Sequence, residues 1–476
     1  MHDPHGCRPT PCLRPVRGDP TTSLPTPDFR AMPGFAFLLP VVLLLLTAPS
    51  PAVAQTGASL DRFAPDSLAQ DPESSPMLGS SPLPGIHPEG DSVPEGEGEE
   101  ALRGDDEDFL HVGGAVRFNL LSEFYEGDRD PNSTQFTWDT WRINVQGQTG
   151  GVGIQFEYRF YPTFNTHFIK EGWLQYDFSE ETQIQVGVPQ TPFGNVQYNS
   201  HNWWFQLPYY VGLEDDHDMG FKVSHHRADG WNLDLAYFLQ PEPSGPAYGE
   251  ASFGIGGAGR YSYDMIPVQF DDDSGEIDQS NQEKHQGNLR LTRTMEYPGG
   301  GSTEFGGSVQ FGGIYNSALD EWGNRWGWAV HSDGTYGPWN VKLQFLQYGY
   351  DAIDDTGADT DLIWKGAYGD PYHVAAEAWI ATAGVQYTMD MEWGPFTQIN
   401  FYDNYSYMEK SVEDFHPTHQ NVLGFSIAAG GLFTYFDLAT GRNHPWLTES
   451  FGTGLGPGLE DASWNHRFNV NVGYYF

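Results

Sequence analysis

From Phe109 to Phe476 the chain alternates apolar and polar residues in short runs, and this period of two constrains the fold more than any other feature of the sequence. Successive side chains of a strand point to opposite faces, so each run is a strand with one apolar and one polar side. The opening run carries Val112, Val116, Phe118, Leu120 and Phe124 on one parity and His111, Arg117, Asn119 and Glu123 on the other. In the run beginning at Val152, Ile154, Phe156, Tyr158 and Phe160 alternate with Gln155, Glu157 and Arg159. Sixteen such strands are expected, near 110–125, 136–147, 152–161, 168–178, 181–189, 219–226, 230–239, 287–296, 303–315, 324–332, 338–348, 378–389, 396–407, 420–429, 431–439 and 465–476.

No second apolar set, on helices or elsewhere, is available to cover so many one-sided strands. Lipid on the outside of a closed barrel covers them instead, and closure leaves no strand edge unpaired. The sequence therefore predicts an all-β fold, a transmembrane antiparallel β-barrel of sixteen strands in an outer membrane of the Gram-negative type, its outer face against lipid. An overall apolar content of 38% is low for a helical membrane protein, but half the residues of such a barrel face inward. The 368 residues of 109–476 provide 46 per hairpin, enough for two spanning strands, a short turn and a longer outer loop. Trp138 with Trp141, Trp203 with Trp204, the Trp322, Trp326 and Trp328 group, and Tyr474 with Tyr475 are expected to form the aromatic girdles at headgroup level.

The barrel is preceded by two other regions. Residues 1–54 read as a signal peptide region: an apolar run from Phe35 to Leu46 is too short to span a bilayer and is followed by Ala52-Val53-Ala54, a cleavage pattern that ends the leader after Ala54. The Pro/Arg-rich stretch before it is long for such a leader, and Met32 is an alternative start. Residues 55–108 carry 14 acids against Arg62 and Arg103 in a Pro/Ser/Gly-rich background, a composition that cannot bury enough apolar surface to fold and reads as a disordered periplasmic segment. Both cysteines, Cys7 and Cys12, lie upstream of the apolar run, so residues 55–476 have no disulfide, thiolate ligand or thiol nucleophile.

The block IKEGWLQYDFSEETQIQVGVPQTPFG, residues 169–194, resembles the signature hairpin of the phosphate-selective porin O and P family: a strand with a tyrosine near its end, an acidic turn, and a V-G-x-x-x-T-P-F-G strand end. Val186, Gly187, Thr191, Pro192, Phe193 and Gly194 carry the match, and the strand number, barrel length and closing RFNVNVGYYF are similar to that family over most of 109–476. The resemblance implies a water-filled channel for small hydrophilic solutes, anions such as phosphate among them, and assembly as a homotrimer. It implies no enzyme, no cofactor and no nucleic-acid partner. One departure bears on selectivity: Gln190 stands where the family carries a basic residue before T-P-F, and no stack of arginines and lysines appears elsewhere, so phosphate selectivity does not travel with the fold.

A channel selects by the width, hydrogen bonds and charge of its lining. Strand parity places Arg117, Arg142, Arg159, Lys222, Arg290, Arg325, Lys342 and Arg467 inward, together with the acids Glu123, Glu157, Glu171, Asp177, Asp234, Glu304 and Asp403. The lining is thus mixed: the charges either pair across strands to hold the barrel's shape or select ions, with a basic stripe at Arg117, Arg142 and Arg159. Residues 191–218 are too long and too aromatic for an ordinary hairpin loop and are expected to fold inward as a constriction, with Asn202, Trp203, Trp204, Tyr209 and Tyr210 as its candidates. The net charge of −41 fits acidic outer loops that attract cations or a surface adapted to high salt.

Other signals carry little. Gly254, Gly256 and Gly259 match G-x-G-x-x-G but no helix follows, so a phosphate turn is not expected. Asp271 to Asp273 with Glu276, and Asp354, Asp355, Asp359 and Asp361, lack the full calcium-loop pattern and read as solvated acidic loops. His225 and His226 point to opposite faces of a strand, and neither G-x-S-x-G nor H-E-x-x-H occurs, so no metal or catalytic residue is assigned. The competing readings are a plugged structural or adhesive barrel and a barrel lipase whose serine and histidine come from separate strands.

Overall fold

The structure, a computed structural model, describes residues 108–124, 134–196, 198–246, 259–269, 277–368, 370–448, 452 and 454–476. The proposed leader and acidic segment, two of the G-x-G-x-x-G glycines, Asp271 to Asp273 and Glu276 lie outside the described residues.

Nineteen strands are described: β1 (Phe109–Phe124), β2 (Thr134–Thr149), β3 (Val152–Tyr161), β4 (Thr166–Ser179), β5 (Thr182–Val188), β6 (Asp218–His226), β7 (Trp231–Pro241), β8 (Asp264–Met265), β9 (Asn281–Glu296), β10 (Ser302–Asn316), β11 (Glu321–Tyr336), β12 (Trp339–Tyr350), β13 (Leu362–Ala367), β14 (Asp370–Ala375), β15 (Glu377–Trp393), β16 (Phe396–Lys410), β17 (Thr418–Ala429), β18 (Leu432–Arg442) and β19 (Asn465–Tyr475). Sixteen of them close into one antiparallel barrel, each strand beside its chain neighbour and β19 returning to β1. The closing seam is continuous: Ala115 to Phe124 pair with Tyr475 to His466, and Phe476 and Gly114 exchange both backbone hydrogen bonds, at 2.8 and 3.0 Å. The other three, in the order β14-β13-β8, form a small separate sheet.

Alternation decides which face each residue takes. Leu110, Val112, Phe136, Leu174, Val186, Phe311, Val330, Leu343 and Leu423 project from the outer wall, where lipid replaces the protein core that would otherwise cover them. Bulges break the alternation at two useful places. Between Arg117 and Phe118 the β1–β2 register slips by one residue, so Asp139 and Thr140 both face inward, while Trp138 and Trp141, three apart, both face outward. A second slip, opposite Glu157 and Tyr158, turns Lys170 and Glu171 inward together. Strict parity would have sent Lys170 to the lipid face.

Two expectations about facing are corrected. Trp203 and Trp204 belong to no girdle: both are fully buried inside the barrel, and Tyr475 also points inward while Tyr474 points out. Asp403 is exposed on the outer face and accepts a hydrogen bond from Asn421 Nδ2 at 2.7 Å. Aromatic residues occupy both parities of β16, and the inward set there is Tyr402, Asn404 and Ser406, fixed by contacts such as Tyr402 Oη to Asp437 Oδ1 at 2.6 Å.

The two ends of the barrel differ. Turns of a few residues follow β2, β4, β6, β9, β11, β15 and β17, at the end where Phe109 and Phe476 lie. At the other end the connections 189–217, 242–280, 351–376 and 443–464 are long, and their described residues supply most of a buried, tyrosine-rich cluster.

Candidate functional site in the barrel interior

A charged side chain taken from water must find a partner or the fold loses several kcal/mol. The inner wall follows this rule closely. On the seam side, Arg117 Nη2 meets Asp139 Oδ2 at 2.8 Å and donates to Thr140 Oγ1 at 3.0 Å, a partnership the first bulge makes available. Glu157 bridges Arg142, at 3.4 Å, and Arg159. Arg467 reaches Glu123 at 3.7 Å and lies 5.1–5.2 Å from aromatic ring centres in company with Arg142: Arg467 over Trp204, Arg142 over Tyr475. These four arginines sit on adjacent strands β3, β2, β1 and β19 and face three acids.

Across the lumen, Arg290 is held by Asp234 at 3.7 Å, by Glu304 at 2.5 Å and by the Gly194 carbonyl at 2.9 Å. Arg325 pairs with Glu283, and Lys342 spans Asp333 at 3.6 Å and the Tyr198 carbonyl at 2.7 Å. Lys222 donates to the Gln190 carbonyl at 3.1 Å. All ten candidate lining residues named from the sequence therefore lie on the inner face. Eight of them are buried, Lys222 and Glu123 half-buried.

Residues 191–217 run across the interior, tied down by polar side chains that alternation turns inward. Gly194, at φ +65°, makes the entering turn, and its N–H donates to Ser308 Oγ at 3.0 Å. Asn195 N–H donates to Gln344 Oε1 at 2.7 Å, and Asn199 Nδ2 to Thr382 Oγ1 at 2.7 Å. His201 bridges the side-chain amides of Asn404, at 3.0 Å, and Asn340, at 2.6 Å. Trp203 N–H reaches Asp437 Oδ2 at 3.2 Å, and Leu207 N–H reaches Ser406 Oγ at 3.2 Å. Anchors on β10, β12, β15, β16 and β18 thus hold a chain that leaves the wall at β5. Asn202 Oδ1 caps the Trp204 N–H at 2.6 Å, and Tyr210 Oη donates to the Trp204 carbonyl at 2.8 Å.

The environment sets two charges in this segment. Burial, with the Lys342 charge nearby, pushes His201 down to about 4, so its imidazole is neutral at pH 7. Burial pushes the Glu214 carboxyl up to about 8 against the opposing Asn199 N–H, which leaves it protonated at neutral pH.

The interior also holds residues that strand parity could not reach. Tyr209 Oη and Tyr368 Oη share a hydrogen bond at 2.7 Å, Phe205 stacks on Tyr209 at 4.0 Å, and Tyr372 Oη donates to the Tyr210 carbonyl at 2.5 Å. Tyr261 and Tyr263 join this cluster from the connection 242–280. Lys365 on β13 is fully buried against Glu283, at 3.0 Å, and the Tyr263 carbonyl, at 3.1 Å. Lys170 reaches Asp215 at 3.5 Å. Asp354 and Asp355, read as solvated, instead accept backbone hydrogen bonds, Asp354 Oδ1 locally from Thr356 N–H at 2.8 Å and Asp355 Oδ1 from Ser280 N–H, in another connection, at 2.8 Å.

No family model matches the chain, and no curated protein does. Solved structures do. The anion-selective porin from Comamonas acidovorans superposes with a TM-score of 0.50 at 12% identity, over 78% of this chain and 100% of that one. The outer membrane channel DcaP of Acinetobacter baumannii gives 0.49 at 11% identity, over 78% and 97%, and OmpT of Vibrio cholerae gives 0.45 at 12%, over 79% and 99%. At 12% identity the first likeness is one of fold alone: the closed sixteen-stranded antiparallel barrel of this chain superposes on the fold of that porin.

Proposed function

We propose that the chain is an outer-membrane porin through which small hydrophilic solutes diffuse passively. One observation carries the reading. A closed barrel with an apolar outer wall turns seven of its buried basic side chains, Arg117, Arg142, Arg159, Arg290, Arg325, Lys342 and Arg467, toward its interior, a costly lining for a barrel with no polar traffic. Residues 191–217 would narrow the passage, with Asn202, Trp203, Trp204, Tyr209 and Tyr210 in the segment that crosses it. The leader would be cleaved after Ala54, residues 55–108 would extend into the periplasm, and three copies would assemble, as the family resemblance implies. No catalytic or cofactor role is assigned.

Anion preference is the finer part of the reading. Four arginines against three acids on the seam side favour anions weakly. Phosphate selectivity has less support, because Gln190 supplies only an amide where the resembled family has a cation, and that amide is engaged with Asp215 Oδ1 at 2.8 Å. A second reading, a plugged barrel, is favoured by the tyrosine cluster that joins the long connections.

Liposome swelling separates the two readings. Proteoliposomes with the folded full chain should swell in isosmotic arabinose and more slowly in larger sugars. Swelling no faster than in protein-free liposomes would support the plug.

A further inference from the structure

Where β6 begins, the carboxyl of Asp218 meets three acidic side chains from two long connections. One oxygen from each of Asp216, Asp218 and Asp264 lies within 4.8 Å of the others, and the side chains are 5%, 3% and 1% exposed. Glu242, which follows β7 and is 2% exposed, shares a hydrogen bond with Asp264. Carboxylates this close and this dry repel one another strongly.

The basic groups nearby do not balance them. Arg260 Nη1 is 2.8 Å from Asp264 Oδ2, while Arg325 and Lys365 are both engaged by a fifth acid, Glu283. Five carboxyl groups thus face three cations, and even with the proton that Glu242 and Asp264 share the buried pocket keeps an excess of negative charge. Hydrogen bonds do not absorb the excess: Asp216 Oδ1, Asp218 Oδ1 and Glu242 Oε2 are each buried without a hydrogen-bond partner among the described residues. Bare carboxylate oxygens of this kind are what a hard cation seeks.

We propose that Asp216, Asp218, Asp264 and Glu242 bind one calcium ion, which clamps residues 191–217 and the connection 242–280 to the rim of the barrel at β6. Three oxygens that all lie within 4.8 Å of one another are close enough to share one calcium ion, whose bonds to oxygen are about 2.4 Å long. The bare oxygens of Asp216, Asp218 and Glu242 with one from Asp264 supply four ligands, bidentate carboxylates raise that toward calcium's range of about six to eight, and one divalent charge, displacing the proton between Glu242 and Asp264, neutralises the pocket. Magnesium demands a tighter octahedron and keeps its waters, which a pocket this closed does not accommodate. The proposal does not depend on whether the lumen conducts.

The test uses the folded full chain in detergent, with terbium as a luminescent probe sensitised by neighbouring tyrosines and calcium as the competitor. Equilibrium dialysis should find one tightly held calcium ion per chain, with a dissociation constant of about 1 mM or tighter, as for extracellular calcium modules. The double variant Asp216→Asn/Asp218→Asn should bind at least about tenfold more weakly, since calcium affinity follows ligand charge. Asp354→Asn/Asp355→Asn, an acidic site elsewhere, should bind as the parent does. If the first variant fails to fold, the parent alone decides: calcium should raise its thermal unfolding midpoint and equimolar magnesium should not. No binding up to about 10 mM, ten times that constant, equal affinity in the Asp216/Asp218 variant, or equal stabilisation by magnesium would overturn the proposal.

Discussion

Trp204→Ala is the substitution that most sharply probes how residues 191–217 are held. The indole is fully buried, the Arg467 guanidinium lies 5.2 Å from its ring centre, and His444 meets it edge-on at 6.3 Å. Truncating a buried tryptophan costs about 3–5 kcal/mol, and losing the cation over its face adds roughly 1 kcal/mol. The indole N–H has no hydrogen-bond partner among the described residues, so the loss is one of packing. The strand ladders do not involve Trp204, and the destabilisation should stay local. A cost near 4 kcal/mol corresponds to a roughly thousandfold rise in the open fraction of the segment, at about 1.4 kcal/mol per tenfold. Amide hydrogen exchange of 199–207 should accelerate by that factor while the β1–β19 seam keeps its protection. Trp322→Ala, at a side chain 52% exposed on the outer wall, should change those rates less than about tenfold and serves as the control. Unchanged protection of 199–207 in Trp204→Ala would refute the packing argument.

Glu157→Gln removes the carboxylate that Arg142 and Arg159 share, and breaking one partner out of a buried ion pair costs about 3–5 kcal/mol, which urea unfolding of the detergent-solubilised barrel will read. Glu214 has its folded pKa raised to about 8 from 4.5, so it favours the fold while protonated and that contribution is lost as pH rises from 4.5 through 8. Glu214→Gln should accordingly flatten the fall in unfolding temperature between pH 5 and 9; a parent-like fall in the variant would contradict this. Arg117→Gln with Arg467→Gln removes two cations from the seam side and should move the reversal potential in a salt gradient toward cation preference.

Much of the barrel was legible in sequence because lipid and the lumen impose opposite demands on alternate residues. Each of the sixteen expected runs overlaps a barrel strand, with ends shifted by up to six residues, as where 287–296 becomes Asn281–Glu296. What alternation misses are its interruptions. The slip at Asp139 and the slip beside Lys170 each turn an extra charged side chain inward, and a single inserted residue leaves no compositional trace. Asp403 was misread because Phe401, Tyr402 and Tyr405 place aromatics on both parities of β16, and hydrogen bonds inside the barrel decide which set turns in. β8, β13 and β14 escaped because their sheet, surrounded by protein on both faces, need not alternate at all. The acidic pocket was beyond reach for another reason: Asp218 and Asp264 meet only after two long connections fold over the same barrel end.

Current recorded across a planar bilayer shows whether the barrel is open to ions. Insertion of the folded chain is expected to give discrete conductance steps, with a reversal potential in a salt gradient that leans weakly toward anions. Repeated insertion of folded protein without any step would contradict the account and leave a closed barrel filled by its own connections.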